Sequence, residues 1–265
     1  MNQKSIITAS LVSIVLPVYN GETLLPDCLN SLINQTYTNL EIIVIDDLSK
    51  DNTWKILREY QKRDKRIRVF HNKKHYGPTV CYNRAIARAR GQFITFMNAA
   101  DQLALTRLKR QVNFLLANPR TVAVGTQYTN ILTDGKRLTR SSLPLEPEEI
   151  YKTLLHRQAV KPETLLINRQ LLPKDILRFA HNKYPLFFTQ LFVKFFQYGQ
   201  IANLPQSYYY HRLDKKMPRS NKSSLAHALS ISKVWLTSIT DYNYRPSLRS
   251  LVEPALRGMP ALRNF

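Results

Sequence analysis

Two short, almost unbroken apolar runs, LVSIVL at 11–16 and LEIIVI at 40–45, constrain this chain more than any other feature. Both are rich in β-branched residues and neither alternates polar with apolar, so both read as strands buried on two faces. Strands of that kind need helices above and below them. The following segments supply these. Residues 23–33 place Leu24, Leu25, Cys28, Leu29, Leu32 and Ile33 at helical spacing, and Trp54, Ile56, Leu57 and Tyr60 do the same after the cap residues of 49–53. A third strand is predicted at 67–70, a helix over 79–89, and a fourth strand opening GQFITFMNAAD at 91–101. The alternation predicts a parallel α/β sheet with helices on both faces. Ligands of such sheets bind where the strands end, so Asn98, Ala99, Ala100 and Asp101 should line the crevice.

Downstream, Leu105, Leu108, Val112, Leu115 and Leu116 mark another helix, 122–124 starts a strand, and Asp134-Gly135 is a hairpin turn signal. A short acidic helix at 144–155, a strand at 164–167 and a strongly aromatic helix at 185–198 follow. The sequence then runs through IANLP to Tyr208-Tyr209-Tyr210-His211-Arg212. No G-x-G-x-x-G and no G-x-x-x-x-G-K-[ST] occurs, so something other than a glycine cradle must hold any nucleotide.

Charge narrows the partners. With 39 Lys and Arg against 18 Asp and Glu, the net charge of +21 draws polyanions: nucleic acid, an anionic membrane face, an acidic polysaccharide or a nucleotide diphosphate. No nucleic-acid recognition motif accompanies it, so nucleic acid is the outsider. Two cysteines, Cys28 and Cys81, make neither a disulfide framework nor a zinc site. The start is a poor secretory signal and no run of about 18 apolar residues appears, so the expected location is cytoplasmic, or peripheral at the inner face of the cell membrane.

Taken together, VSIVLPVYNG (12–21), CLNSLINQTY (28–37), LEIIVIDDLSKDNT (40–53), GPTVCYNRAI (77–86), GQFITFMNAAD (91–101) and LTRLKRQVNFLLANP (105–119) resemble the inverting family 2 glycosyltransferases. Weaker echoes reach about residue 212, in PETLLINRQLL (162–172) and YGQIANLP (198–205). The resemblance implies the GT-A fold, a mostly parallel, Rossmann-like sheet flanked by helices over 1–212, with 213–265 left as a basic helical extension. It further implies a nucleotide pocket lined by Pro17, Val18, Tyr19, Asn20 and Glu22, with Asp47 accepting a hydrogen bond from a uracil-like base. Tyr76 would stack on that base, and Asn83, Asn98 and Asp101 would complete the nucleotide-binding set. The implied ligands are a UDP-type nucleotide sugar and a glycan or lipid-linked acceptor.

Two departures accompany the resemblance. The family's fourth strand usually ends Asp-x-Asp-Asp, and here it ends Asn98-Ala99-Ala100-Asp101. Alanine offers no oxygen to Mg²⁺ or Mn²⁺, so no divalent metal is expected. The family's catalytic base lies in a Glu-Asp pair about a dozen residues before the equivalent of Tyr198-Gly199, which here lands on Phe187-Phe188, and no Asp or Glu occurs from 176 to 213. Two readings follow. One is a metal-independent transferase in which Arg212, Lys215, Lys216 and Arg219 neutralise the leaving diphosphate and His211 serves as base. The other is an inactive pseudo-glycosyltransferase, a scaffold for an active enzyme, in which the aromatic strip around Phe187, Phe188, Phe192, Phe195 and Phe196 meets a partner protein or a membrane.

Overall fold

The computed structural model describes residues 10–155, 158–179, 187–213 and 234–245. The first half alternates as the sequence predicts: β1 (Val12–Val18), α1 (Leu25–Ile33), β2 (Leu40–Asp46), α2 (Thr53–Arg63), β3 (Ile67–His71), α3 (Pro78–Ile86) and β4 (Phe93–Phe96). Then come β5 (Gln102–Leu103), α4 (Arg107–Ala117), β6 (Thr121–Ile131), β7 (Arg137–Arg140), α5 (Pro147–Thr153), β8 (Leu166–Asn168), α6 (Phe187–Phe195) and β9 (Gln200–Arg212). One mixed sheet runs in the order β3-β2-β1-β4-β8-β6-β9-β5, and β7 pairs with β6.

β1 to β4 are parallel, and the order reverses between β1 and β4, which opens a crevice beyond their carboxyl ends. β8 then joins β4 antiparallel, with Phe93, Ile94 and Thr95 opposite Asn168, Ile167 and Leu166. β6 runs parallel to β9 and antiparallel to β8. Pro17 sits inside β1, where the sequence reading ended the strand. On the β4 side the pairing ends at Val15, which accepts Met97 N; the next bond would need the N–H that Pro17 lacks, whereas the pairing with β2 continues to Val18.

Alternate side chains of the strands build two cores. Val12, Ile14, Leu16 and Val18 face α1, α2 and α4, whereas Val15, Ile43, Ile45, Ile94 and Phe96 face α3, α5 and α6. α3 stops three residues before its sequence pattern does, because Arg88 N and Ala89 N bond three residues back, to Ala85 O and Ile86 O. The hairpin forms where Asp134-Gly135 predicts it, with Leu132 N donating to Lys136 O and Gly135 at φ +84°.

The aromatic strip is core. Leu191, Phe192, Val193 and Phe195 are buried, and Phe188 packs against Tyr82, Phe96 and Phe179. For Phe188, Phe192, Phe195 and Phe196 this corrects the reading of an exposed face for a partner or membrane; the Phe187 side chain lies outside what the structure describes. The described part of the C-terminal segment, helical over 234–240, docks on the same core, with Tyr244 stacked on Phe196 at 5.7 Å and its hydroxyl donating to Tyr151 O.

Candidate active site

Three loops close the β1 side of the crevice, and hydrogen bonds knit them together. Asn20 adopts φ +49°, donates its N–H to Ser49 Oγ at 2.9 Å and accepts Lys50 N on Oδ1 at 2.9 Å. Gly21 N donates to Thr53 Oγ1 at 2.7 Å, Glu22 N to Asp51 Oδ2 at 3.1 Å, and Glu22 Oε2 accepts Asn52 N and Nδ2, each at 2.9 Å. Asn20 and Glu22 therefore shape the rim. Pro17 and Val18 end the strand beneath it, and the Tyr19 ring, 44 % exposed, lies on the rim against His75 at 4.2 Å between centroids.

Asp47 is buried at the base of this wall. It accepts Asn72 Nδ2 at 2.6 Å, Tyr76 N at 2.9 Å and Gly77 N at 2.8 Å, and its Oδ2 lies 3.0 Å from His75 Nδ1. Burial alone would raise its pKa, but the Tyr76, Asn72 and Gly77 donors overcome that and hold the carboxyl below its usual range. Its oxygens thus tie β2 to the start of α3, and Asn72 Oδ1 extends the link to Arg84 Nη1. The Arg84 guanidinium lies 4.1 Å from the Tyr76 ring centroid, with Lys74 Nζ at 5.1 Å. Asn83 spends both ends of its amide on one residue: Nδ2 donates to Phe179 O at 2.8 Å and Oδ1 accepts Phe179 N at 2.9 Å.

The β4 side is organised by Asp101, which is fully buried. Oδ2 accepts the Tyr209 hydroxyl at 2.6 Å and lies 3.0 Å from His211 Nδ1, and Oδ1 accepts Arg212 N at 2.8 Å. Exposed Asn98 caps the turn before it, accepting Ala100 N at 3.0 Å. Arg212 is buried, with Nη2 on Asp27 Oδ2 and Nη1 on Thr133 O, both at 3.0 Å, so its charge is already met by a carboxylate. Its Nε has no partner among the described residues. Lys215, Lys216 and Arg219 lie outside the described residues.

The structure gathers Pro17, Val18, Tyr19, Asn20, Glu22, Asp47 and Tyr76 on one side of the crevice and Asn98 and Asp101 on the other, and most of their polar atoms bond to protein groups. Asn72, His71 and His75 were not singled out in the sequence, although all three follow or end β3 at the crevice: His71 Nδ1 lies 2.6 Å from buried Asp46 Oδ2. Their position just past a buried strand was the available signal. Among the described residues, no three His, Cys, Asp or Glu side chains cluster as a metal site would require. Phe188, where the family's base is expected, sits in an aromatic cluster.

An open sheet with its ligand crevice at the β1–β4 switch is the architecture of nucleotide-sugar transferases of the GT-A type. The family model for glycosyl transferase family 2 matches residues 13–182, and the chain belongs to that family. It is 30% identical over 233 residues to an uncharacterized glycosyltransferase of Haemophilus influenzae, covering 86% of this chain and 87% of that one. It is also 30% identical to a putative teichuronic acid biosynthesis glycosyltransferase, TuaG, of Bacillus subtilis, covering 60% of this chain and 63% of that protein. Among solved structures, S. aureus TarS 1–349 in complex with UDP-GlcNAc superposes with a TM-score of 0.68 at 21% identity, covering 94% of this chain and 70% of that one. That likeness carries the fold. None of these comparisons supports the pseudo-glycosyltransferase alternative.

Proposed function

We propose that this protein is a working inverting glycosyltransferase that moves a sugar from a UDP-type donor to a hydroxyl of a cell-surface glycan, free or lipid-linked, without a resident divalent cation. The observation that carries the reading is the family match over 13–182, which falls on the elements that build the crevice. The TuaG and TarS relationships support the substrate classes: one is named for teichuronic acid biosynthesis, the other is solved with UDP-GlcNAc.

Around the crevice, Tyr19 and His75 offer aromatic faces to a base, and Asn20 and Glu22 hold the rim above Asp47. The donor set at the β4 end does not fit a cation. Ala100 has no ligand atom, and the Asp101 oxygens are taken by Tyr209, His211 and Arg212. Charge on the leaving diphosphate therefore falls to cationic side chains of this basic protein. The basic 213–265 segment, whose described part docks on the core through Tyr244, belongs to this proposal as the part of the chain that favours an anionic membrane surface, where lipid-linked acceptors reside.

Calorimetry with UDP, with and without Mn²⁺, tests the reading. The expected result is binding of equal strength in both conditions. Mn²⁺-enhanced binding would overturn the metal-free part, and no binding of UDP or other nucleotides would overturn the whole.

A further inference from the structure

With no Asp or Glu from 176 to 213, a carboxylate for the transfer has to come from another part of the fold. Glu163 lies in a single 3₁₀ turn, residues Pro162–Thr164, that leads into β8. β8 pairs antiparallel with β4, Thr95 standing opposite Leu166, so the turn just before β8 lies toward the carboxyl end of β4, where the crevice opens. Two bonds hold the turn there: Thr95 Oγ1 donates to Leu165 O at 2.6 Å, and buried Arg107 donates through Nη2 to Glu163 O at 2.8 Å.

The side chain is one-fifth exposed, and its Oε2 is buried without a hydrogen bond from any described residue. Its ion-pair partner is Lys161 Nζ, 3.7 Å away. Lys161 lies over the Tyr128 ring at 5.0 Å, Tyr128 meets the His211 ring edge-on at 6.2 Å, and His211 reaches Asp101 at 3.0 Å. A continuous line of contacts thus joins Glu163 to the turn that ends β4. A buried carboxylate oxygen left without a donor costs stability, and that cost is accepted most readily where the oxygen must receive a proton.

We infer that Glu163 is the general base of the transfer, an inference that rests on the glycosyltransferase reading above. The acceptor O–H proton passes to a Glu163 carboxylate oxygen as the acceptor oxygen forms its bond to the sugar anomeric carbon. The bond from that carbon to the donor's phosphate oxygen breaks, and its electron pair leaves with the nucleoside diphosphate. Lys161 and Arg107 position the group, one beside the carboxylate and one under the backbone that carries it.

The test uses the full-length protein with UDP-glucose and UDP-N-acetylglucosamine, with water or azide as acceptor. Glu163→Gln is expected to slow sugar release by ~10²- to 10⁴-fold, the usual contribution of a positioned base, while UDP affinity stays within about twofold. The acid limb of the wild-type kcat/KM profile should vanish with it. Azide attacks without losing a proton, so it should restore turnover in Glu163→Ala and yield a glycosyl azide of inverted configuration. A structural role would not respond to azide. Glu163→Gln turnover within about threefold of wild type, or no azide rescue in a variant that still binds UDP, would overturn the assignment. If the wild type neither binds UDP nor releases sugar, the glycosyltransferase reading falls and this inference with it.

Discussion

Asp47 and Asp101 are both buried carboxylates at the ends of central strands, and each is committed to protein donors rather than left open. Asp47 receives the Asn72 amide and the Tyr76 and Gly77 N–H groups, which pin the β3–α3 loop against β2. Because its folded-state pKa lies below the ordinary value of 3.8, its contribution to stability is present in full above that value and is lost as pH falls through the folded pKa. The urea midpoint should therefore drop steeply on acidification below about pH 4, and Asp47→Asn should flatten that drop while costing about 1–3 kcal/mol at neutral pH. A variant with the wild-type pH dependence would remove Asp47 from that role. Asn83 carries the same lesson: both ends of its amide are spent on the Phe179 backbone, so it fixes that residue against α3.

Elements show where sequence patterns carry structural information and where they stop. β1, β2 and α1 to α4 were legible because continuous β-branched runs and helical spacing each have one stable solution in a parallel sheet. β6 and β9 extend far beyond the three-residue run and the Tyr-rich tail seen in the sequence, because their ladder is set by pairing with each other rather than by local pattern. The crevice was legible, since strand ends mark it. The partners of Asp47, Asp101 and Asn83 were not, since each bond joins residues distant in sequence. Glu163 was hidden for the same reason: only the β4–β8 register brings a residue of the PET turn to the end of β4.

Gly91 gives the element scale its sharpest test. A Cβ there would stand 2.6 Å from Ser13 Oγ and 2.7 Å from both Leu11 O and Ser13 N, backbone atoms at the start of β1. Gly91→Ala must push β4 from β1 and should lower stability by about 1–3 kcal/mol in chemical denaturation. A neutral substitution would mean that the β1–β4 spacing at this end is not fixed as described.

For the whole molecule, a sheet covered on both faces leaves its aromatic helix inside and its crevice beyond the carboxyl ends of β1 and β4. The described part of the C-terminal segment belongs to that assembly, because Tyr244 is buried between Tyr151 and Phe196. Tyr244→Ala should cost about 3 kcal/mol, read as a lowered unfolding midpoint. An unchanged midpoint would detach the segment from the core.

The central claim is that this crevice transfers sugar with protein groups alone. Its most direct measurement is the rate of sugar release from a UDP-sugar by the same protein in EDTA and in Mn²⁺. Equal rates are predicted. A rate that collapses in EDTA and returns with Mn²⁺ would contradict the account.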